Sequence, residues 1–458
     1  MHESPSLPSA VQRSMVPAEI SFPTGILLLT YFLLVLWLYI QGIGPIWNYL
    51  SNPPQLIVLR ALASALLVFG VGCTLKARKP SEFYFAIATA LILVPSMALY
   101  ASTQGSETFV INTLVAFVTL WLVLQLPALA VGGRAHAASP VAVAYVLVAA
   151  SAVLAAVVAI RGGESVFNLN ILVVYDFREE ATENLGSGLA YLVPAATNVA
   201  IPMAILLGIQ HRRLFLVGSG FALSILYFGL VSLKSYLFYP FLIVAVYYFL
   251  NSRRPVRTML FALVGVVVIS LIECWMVVRD VTDVAWFTML TSRRMLLIPS
   301  IINYLYVDLF EATQFYFWST SKVTLGMLTP PASQDIAELV GSTYFNAGNH
   351  ANTGWIGSGY AQAGMIGVIL YSMLLGLILR IFDGSAERSS ATLASAAFFI
   401  PALNMITSSD TLTVFLTQGL LFALLLIALM GGEGSSPRSF RLKRVTTARM
   451  AKDAAGFS

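Results

Sequence analysis

The chain has 458 residues, of which 58% are hydrophobic and only 10% charged, with a mean hydropathy of +0.83. This composition excludes disordered, collagen-like and ordinary soluble domains, and a soluble nucleic-acid binder with them. The formal net charge of +5 sits mostly in basic residues between apolar runs, where orientation signals lie, so it reads as topology and not as affinity for nucleic acid.

A membrane span takes about 20 apolar residues, and twelve segments qualify: 24–42, 54–75, 82–101, 108–131, 140–160, 187–210, 214–232, 234–251, 258–277, 361–381, 390–407 and 411–430. The first twenty residues lack the pattern of a cleavable signal peptide, so the first span is expected to act as its own address. The expected fold is all-α, one polytopic membrane domain over 1–458, with a large outer loop at 278–360 and a basic tail at 431–458. Twelve spans put both termini on one side. Of the 26 Lys and Arg, 18 then fall on the side of the tail and 7 on the other, with Arg60 inside the second span, which predicts cytoplasmic termini. Acidic residues gather in the outer loops. Cys73 and Cys274 lie in apolar stretches without metal or disulfide spacing, and no internal repeat is visible.

Within the large loop, Met295–Trp318 is apolar enough to be mistaken for a further span. At 100° per residue Ser300, Tyr304, Asp308, Glu311 and Gln314 fall in an arc of about 120°, interrupted by Val307 and Phe315. This predicts an amphipathic helix on the outer surface or edging a cavity, with Pro299 in its first turn and Tyr316 and Trp318 as interface anchors. No Walker loop, HExxH, GxSxG or Asp-x-Asp pair is present. What remains is outward-facing Arg, Lys, His, Asn and carboxylates, the set that a lipid-linked anionic substrate requires.

The stretch Ala351-Asn352-Thr353-Gly354-Trp355-Ile356-Gly357-Ser358-Gly359-Tyr360-Ala361, followed by Gly364 and an apolar run, resembles the corresponding region of bacterial oligosaccharide repeat-unit polymerases, the Wzy-type O-antigen polymerases. Arg293-Arg294, Pro299, Tyr304, Tyr306 and Phe310 look like that family's basic residues leading into an aromatic helix; the resemblance covers roughly residues 290–380. It implies a GT-C-like glycosyltransferase of the bacterial inner membrane. Such an enzyme moves a glycan from undecaprenyl pyrophosphate to the non-reducing end of a lipid-linked repeat unit at the periplasmic face, without metal or cofactor. A chain-length regulator and a flippase are then expected partners, besides membrane lipid. The competing readings are an O-antigen ligase, disfavoured by the stretch around Asn352, and a flippase or transporter, disfavoured by charge gathered on one face and the lack of related halves.

Each residue has a role under this reading and a plainer alternative. Arg294 and Arg293 suit the departing pyrophosphate through guanidinium forks, or else lipid headgroups. His350, the one outer histidine of four, and Asp308 and Glu311 compete as the base that takes the proton of the attacking hydroxyl; the alternatives are a capped turn for His350 and a wetted helix face for the carboxylates. Lys234, alone in a short loop, suits phosphate or plain solvent. Arg279 has Asp280 and Asp283 as easy partners, Arg60 needs a partner or a water-filled cavity, and Lys322 near Trp318 reaches substrate or solvent. Asn349 and Asn352 suit sugar hydroxyls, and Trp355, Tyr304 and Tyr360 suit pyranose faces, against turn formation and interface anchoring. Gly357, Ala361 and Gly364 form a small-residue stripe suited to close helix packing.

Overall fold

An apolar chain with no water to satisfy its backbone satisfies it internally, and the helix is the element that does so within one segment. The computed structural model describes residues 21–47, 54–102, 106–129, 139–162, 167–171, 186, 188–321, 324, 327–345, 349–386 and 391–430. Lys322 and the basic tail 431–458 lie outside these residues, as does most of the loop 161–186. Among the described residues the elements are α1 (Phe22–Trp47), α2 (Val58–Thr74), α3 (Pro80–Tyr100), α4 (Glu107–Leu124), α5 (Pro140–Gly162), α6 (Gly188–Gln210), α7 (Leu214–Val231) and α8 (Lys234–Asn251). They continue with α9 (Pro255–Val278), α10 (Trp286–Ala312), α11 (Ile336–Tyr344), α12 (Trp355–Ala386), α13 (Ala391–Thr407), α14 (Thr411–Thr417) and α15 (Leu420–Met430). Cys73 and Cys274 are buried free thiols.

Nine of these helices, α1, α3 to α7, α9, α10 and α12, are long and apolar enough to cross a membrane, and the chain is a polytopic helical membrane protein. All twelve predicted segments contain helix, yet they do not coincide with the nine. The helices α2 and α13 have 17 residues each. The 18-residue α8 carries Tyr236, Tyr239, Tyr247 and Tyr248, which lower its hydropathy. The segment 411–430 breaks into α14 and α15 at Gln418–Gly419, where Gly419 has φ +88°. The large loop expected at 278–360 contains, besides the helix predicted around Met295–Trp318, here α10 and long and apolar enough to span, also α11 and the start of α12.

Among the described residues four helices widen to π turns, at Tyr39–Ile43, Thr89–Leu93, Ala196–Ala200 and Arg293–Leu297. Each is followed, after one residue, by proline: Pro45, Pro95, Pro202 and Pro299. The intervening N–H reaches back five positions, from Gly44 to Tyr39, Val94 to Thr89, Ile201 to Ala196 and Ile298 to Arg293. A proline ring clashes with the carbonyl four residues back and offers no N–H, and the wider turn makes room for it without ending the helix. Pro299 thus stands in the first turn of the α-helical stretch Ile298–Ala312, as expected, while α10 as a whole begins earlier, before the π turn. The first turn of α10 is at Trp286, where the Glu273 carboxylate of α9 accepts from the N–H groups of Phe287 (2.8 Å) and Thr288 (2.6 Å).

The helix α12 is a hairpin in helical guise. Ala363 (φ −157°, ψ 34°) and Gly364 (φ 59°, ψ −141°) are non-helical, and the chain reverses there. In a straight helix Trp355 and Ser372 would be about 25 Å apart, but Trp355 Nε1–H donates to Ser372 Oγ at 3.1 Å. The two limbs touch at glycines: a Cβ on Gly367 would lie 1.9 Å from the Gly359 carbonyl oxygen. The packing pair is thus Gly359 with Gly367, whereas Gly364, expected in a packing stripe, makes the turn. The limbs pack on α4 and α10, α1 packs on α2 and α9, and α7 packs on α5, α6 and α8. At the far end of α12 a wholly buried Arg380–Asp383 pair is tied to α3 through Ser81, whose N–H (2.9 Å) and hydroxyl (2.6 Å) both donate to Asp383.

Candidate functional site

The short first limb of α12 carries residues 350–354 into the bundle. Trp355 packs edge-on to Phe117 (5.7 Å between centroids), ten residues into α4 and so about 15 Å from its Glu107 end. Gly354 lies against the carbonyls of Met405 and Ile406 on α13, so closely that any side chain there would collide. Asn303 of α10 holds this stretch: its buried Oδ1 accepts from Thr353 Oγ1 (2.7 Å) and from the Gly357 N–H (2.9 Å). Tyr306 donates to the Ala351 carbonyl (2.9 Å). Between the buried Ala351 and Thr353, Asn352 is exposed. Asn349 and His350 are exposed too, beside α11.

The helix α10 runs across the ends of α3 and α4: Ser300 bonds Ser96 (3.2 Å) and the Ile92 carbonyl (3.3 Å), and Tyr304 packs on Phe109 (5.7 Å). The predicted polar arc is exposed at Asp308, Glu311 and Gln314, half-buried at Tyr304, and wholly buried at Ser300. Asp308 accepts from Tyr344 Oη (2.6 Å) and is also hydrogen-bonded to Tyr304. Burial first, then this bond, raises Tyr344 well above the usual phenol range, so Tyr344 is a donor and not a base. Glu311 is hydrogen-bonded to nothing among the described residues, and its charge is felt by Tyr304 and Tyr360. His350 Nδ1 stands 3.8 Å from Asp335, both about half exposed, at the other end of α11 from Tyr344. Nine helical residues separate the two ends, about 13 Å. His350 and Asp308 therefore form no single dyad.

The cations lie elsewhere. Arg293 sits over the Trp47 ring (5.2 Å) and Arg294 is exposed beside it, within the π turn near the start of α10. Lys234 joins Trp286, Met289 and Leu290 in a cleft of about 670 Å³ with Leu169 and Ile171, one turn before Arg293. From Arg294 to Asp308 the helix rises about 20 Å, so Arg294 and the acidic residues do not meet at one reacting centre, as the sequence reading had them do. Arg279 lies over Trp275 (5.9 Å) and makes no ion pair with Asp280 or Asp283 among the described residues. Arg60 finds its partner in Glu107 (2.9 Å), stacked over Tyr100 (4.7 Å), which itself donates to Glu107 (2.7 Å). Glu107 is two residues from Phe109, the ring against Tyr304, so Arg60 of α2 lies toward the Tyr304 part of α10.

Two expected sugar platforms are ruled out by burial. Trp355 is 0% exposed and shut between Phe117 and Ser372, and Tyr360, at 6%, turns its ring to Phe315. Residues that the sequence reading passed over are Asn303, Tyr344 and Asp410. Asp410 accepts from Tyr371 Oη (2.7 Å) and caps α14. Asn303 had a signal, an amide amid the apolar positions of a helix; Tyr344 and Asp410 had none without the fold. Among the described residues no group of three His, Cys, Asp or Glu is placed to hold a metal ion. No family model matches the chain, and no significant match was found among the curated proteins or the solved structures.

Proposed function

We propose that the protein is a membrane glycosyltransferase of the repeat-unit polymerase kind, transferring a glycan from undecaprenyl pyrophosphate to the non-reducing end of a lipid-linked repeat unit. The observation that carries this is Asn352. It is an exposed amide at the foot of an inserted helical limb with both neighbours buried, a placement that suits a polar ligand better than lipid. It lies within the stretch that resembles the polymerases, beneath a helix bearing Tyr304, Asp308 and Glu311. In this reading α1 to α9, α12, α13 and the broken α14–α15 make twelve crossings in a GT-C-like arrangement. Both termini are cytoplasmic in the bacterial inner membrane, and α10 and α11 roof the periplasmic end.

The acceptor hydroxyl attacks the anomeric carbon, the bond from that carbon to the pyrophosphate oxygen breaks, and the hydroxyl proton passes to a carboxylate. Glu311 fits the base, because Asp308 is already engaged by two phenols that it positions. Charge developing on the pyrophosphate calls for a guanidinium, and Arg60 of α2, held by Glu107 beside the ring that meets Tyr304, is suited to supply it. Asn352 holds acceptor hydroxyls. The test is the purified full chain in lipid nanodiscs with undecaprenyl-pyrophosphate repeat units, without nucleotide sugar and with EDTA. A ladder of polymer is expected; its absence, or a requirement for added magnesium or manganese, overturns the reading.

A further inference from the structure

Past Glu311 the chain leaves α10, and Phe317 (φ 44°) and Trp318 (φ 61°) both adopt the left-handed conformation. Non-glycine residues stay there only where the surroundings over-determine them. Here the apex of the α12 hairpin does so: Tyr316 N–H donates to the Ala361 carbonyl (3.0 Å), Phe317 N–H to the Gln362 carbonyl (2.9 Å) and Trp318 N–H to Gln362 Oε1 (2.6 Å). Trp318 is drawn inward, its indole N–H on Tyr371 Oη (3.2 Å). The result is that the Phe317 ring is turned outward and left 56% exposed.

That ring forms one wall of a pocket of about 470 Å³, whose other walls include Thr313, Gln314, Ser319, Leu328 and Thr329. Among the described residues the lining is hydroxyl, amide, aromatic and aliphatic and includes no charged side chain. These groups suit a neutral polyhydroxylated ring better than a phosphate, with its C–H face on the phenyl ring and its hydroxyls on Thr and Gln. We propose that this pocket is a glycan subsite, holding a sugar of the lipid-linked chain just beyond Glu311. The proposal rests on the glycosyltransferase reading above and adds the place where the glycan leaves the transfer site.

The probe is the repeat-unit oligosaccharide released by mild acid from the lipid-linked intermediates of the producing cells. It carries neither lipid nor pyrophosphate, so its binding does not depend on transfer. Titrated into the detergent-purified full chain, it should change the fluorescence of Trp318. Phe317→Ala should weaken binding tenfold or more, Thr329→Val several-fold, and Phe317→Tyr little; in the polymerisation assay Phe317→Ala should shorten the product. Wild-type affinity in both Phe317→Ala and Thr329→Val, or no binding to the wild type, overturns the subsite. A chain that binds the oligosaccharide but makes no polymer overturns the glycosyltransferase reading and leaves the subsite standing. Should Phe317→Ala not fold, Thr329→Val decides the matter, and wild-type affinity in it overturns the subsite.

Discussion

Trp355 and Ser372 are 17 residues apart in the chain, yet the indole of one donates to the hydroxyl of the other across 3.1 Å. The bond closes the hairpin at its base, while Gly359 and Gly367 let the limbs meet midway. Gly367→Ala drives a methyl group into a backbone carbonyl that has no room to move. It should cost at least about 1–3 kcal/mol and lower the unfolding temperature in detergent. Gly265→Ala, where nothing lies within 4 Å, is the control and should fold like wild type. Equal unfolding temperatures for the two variants would refute the reversal at Gly364.

The division of labour between the acidic residues is measurable. Glu311→Gln should lower kcat by about 10²–10⁴-fold if its carboxylate takes the proton. Asp308→Asn should cost less, since it loosens Tyr304 and Tyr344 without removing the base. The reverse ranking would make Asp308 the base and Glu311 a wetted surface residue.

Arg294 lies in the π turn of α10 while Arg60, on α2, is held by Glu107 beside the ring that meets Tyr304, so their variants should fail differently. Arg294→Ala should raise the concentration of lipid-linked substrate giving half-maximal rate, with kcat little changed, as expected of a cation that gathers substrate near Lys234. Arg60→Ala should lower kcat by about 10²-fold or more, with partial rescue by Arg60→Lys, which keeps charge but loses the fork. A kcat collapse in Arg294→Ala alone would return the pyrophosphate to the start of α10.

Tyr344 sets a pH dependence of known sign. Its folded state holds the proton more tightly than the unfolded chain, because burial and the Asp308 carboxylate disfavour a phenolate. Its contribution to stability is therefore complete below the unfolded phenol pKa of about 10 and is lost as pH rises beyond it. Tyr344→Phe should make unfolding less sensitive to pH above about 10 and leave the pH 6–9 dependence as in wild type. Identical alkaline curves for the two proteins would show that Tyr344 is not held this way.

Arg380 and Asp383 form an ion pair with each side chain 1% exposed. Removing one partner strands the other, so Asp383→Ala should cost about 3–5 kcal/mol, and Arg380→Met with Asp383→Leu should recover much of it. Thermal unfolding of the single and double variants checks this; a double variant no better than Asp383→Ala would mean that Ser81, left without its acceptor, dominates.

The sequence exposed the helical segments and the wet edge of α10, because 3.6-residue periodicity survives in Tyr304, Asp308 and Glu311. It did not reveal that Ser300 on the same arc is buried, since the π turn at Arg293–Leu297 and the crossing over α3 are tertiary facts. The reversal at Ala363–Gly364 hides inside a run of small and apolar residues that reads as one span. Arg380 looks like an orientation signal from the chain alone; only its i, i+3 spacing to Asp383 hints at a pair. Arg60, by contrast, was legible as a charge in want of a partner, and Glu107 at the start of α4 supplies it.

The first limb of α12 also constrains how the protein is made. Residues Trp355–Gln362 form a helix of about 12 Å, far short of the roughly 30 Å that a nascent segment must bridge to leave the translocon as a span. The descending limb can insert by itself; the ascending one cannot. It is seated only once α4 presents Phe117, α10 presents Asn303 and α13 presents the carbonyls that close over Gly354. The last of these is synthesised after the hairpin itself. Seating of the first limb is thus a post-insertion event, and a chain truncated before α13 would be membrane-bound and unfinished.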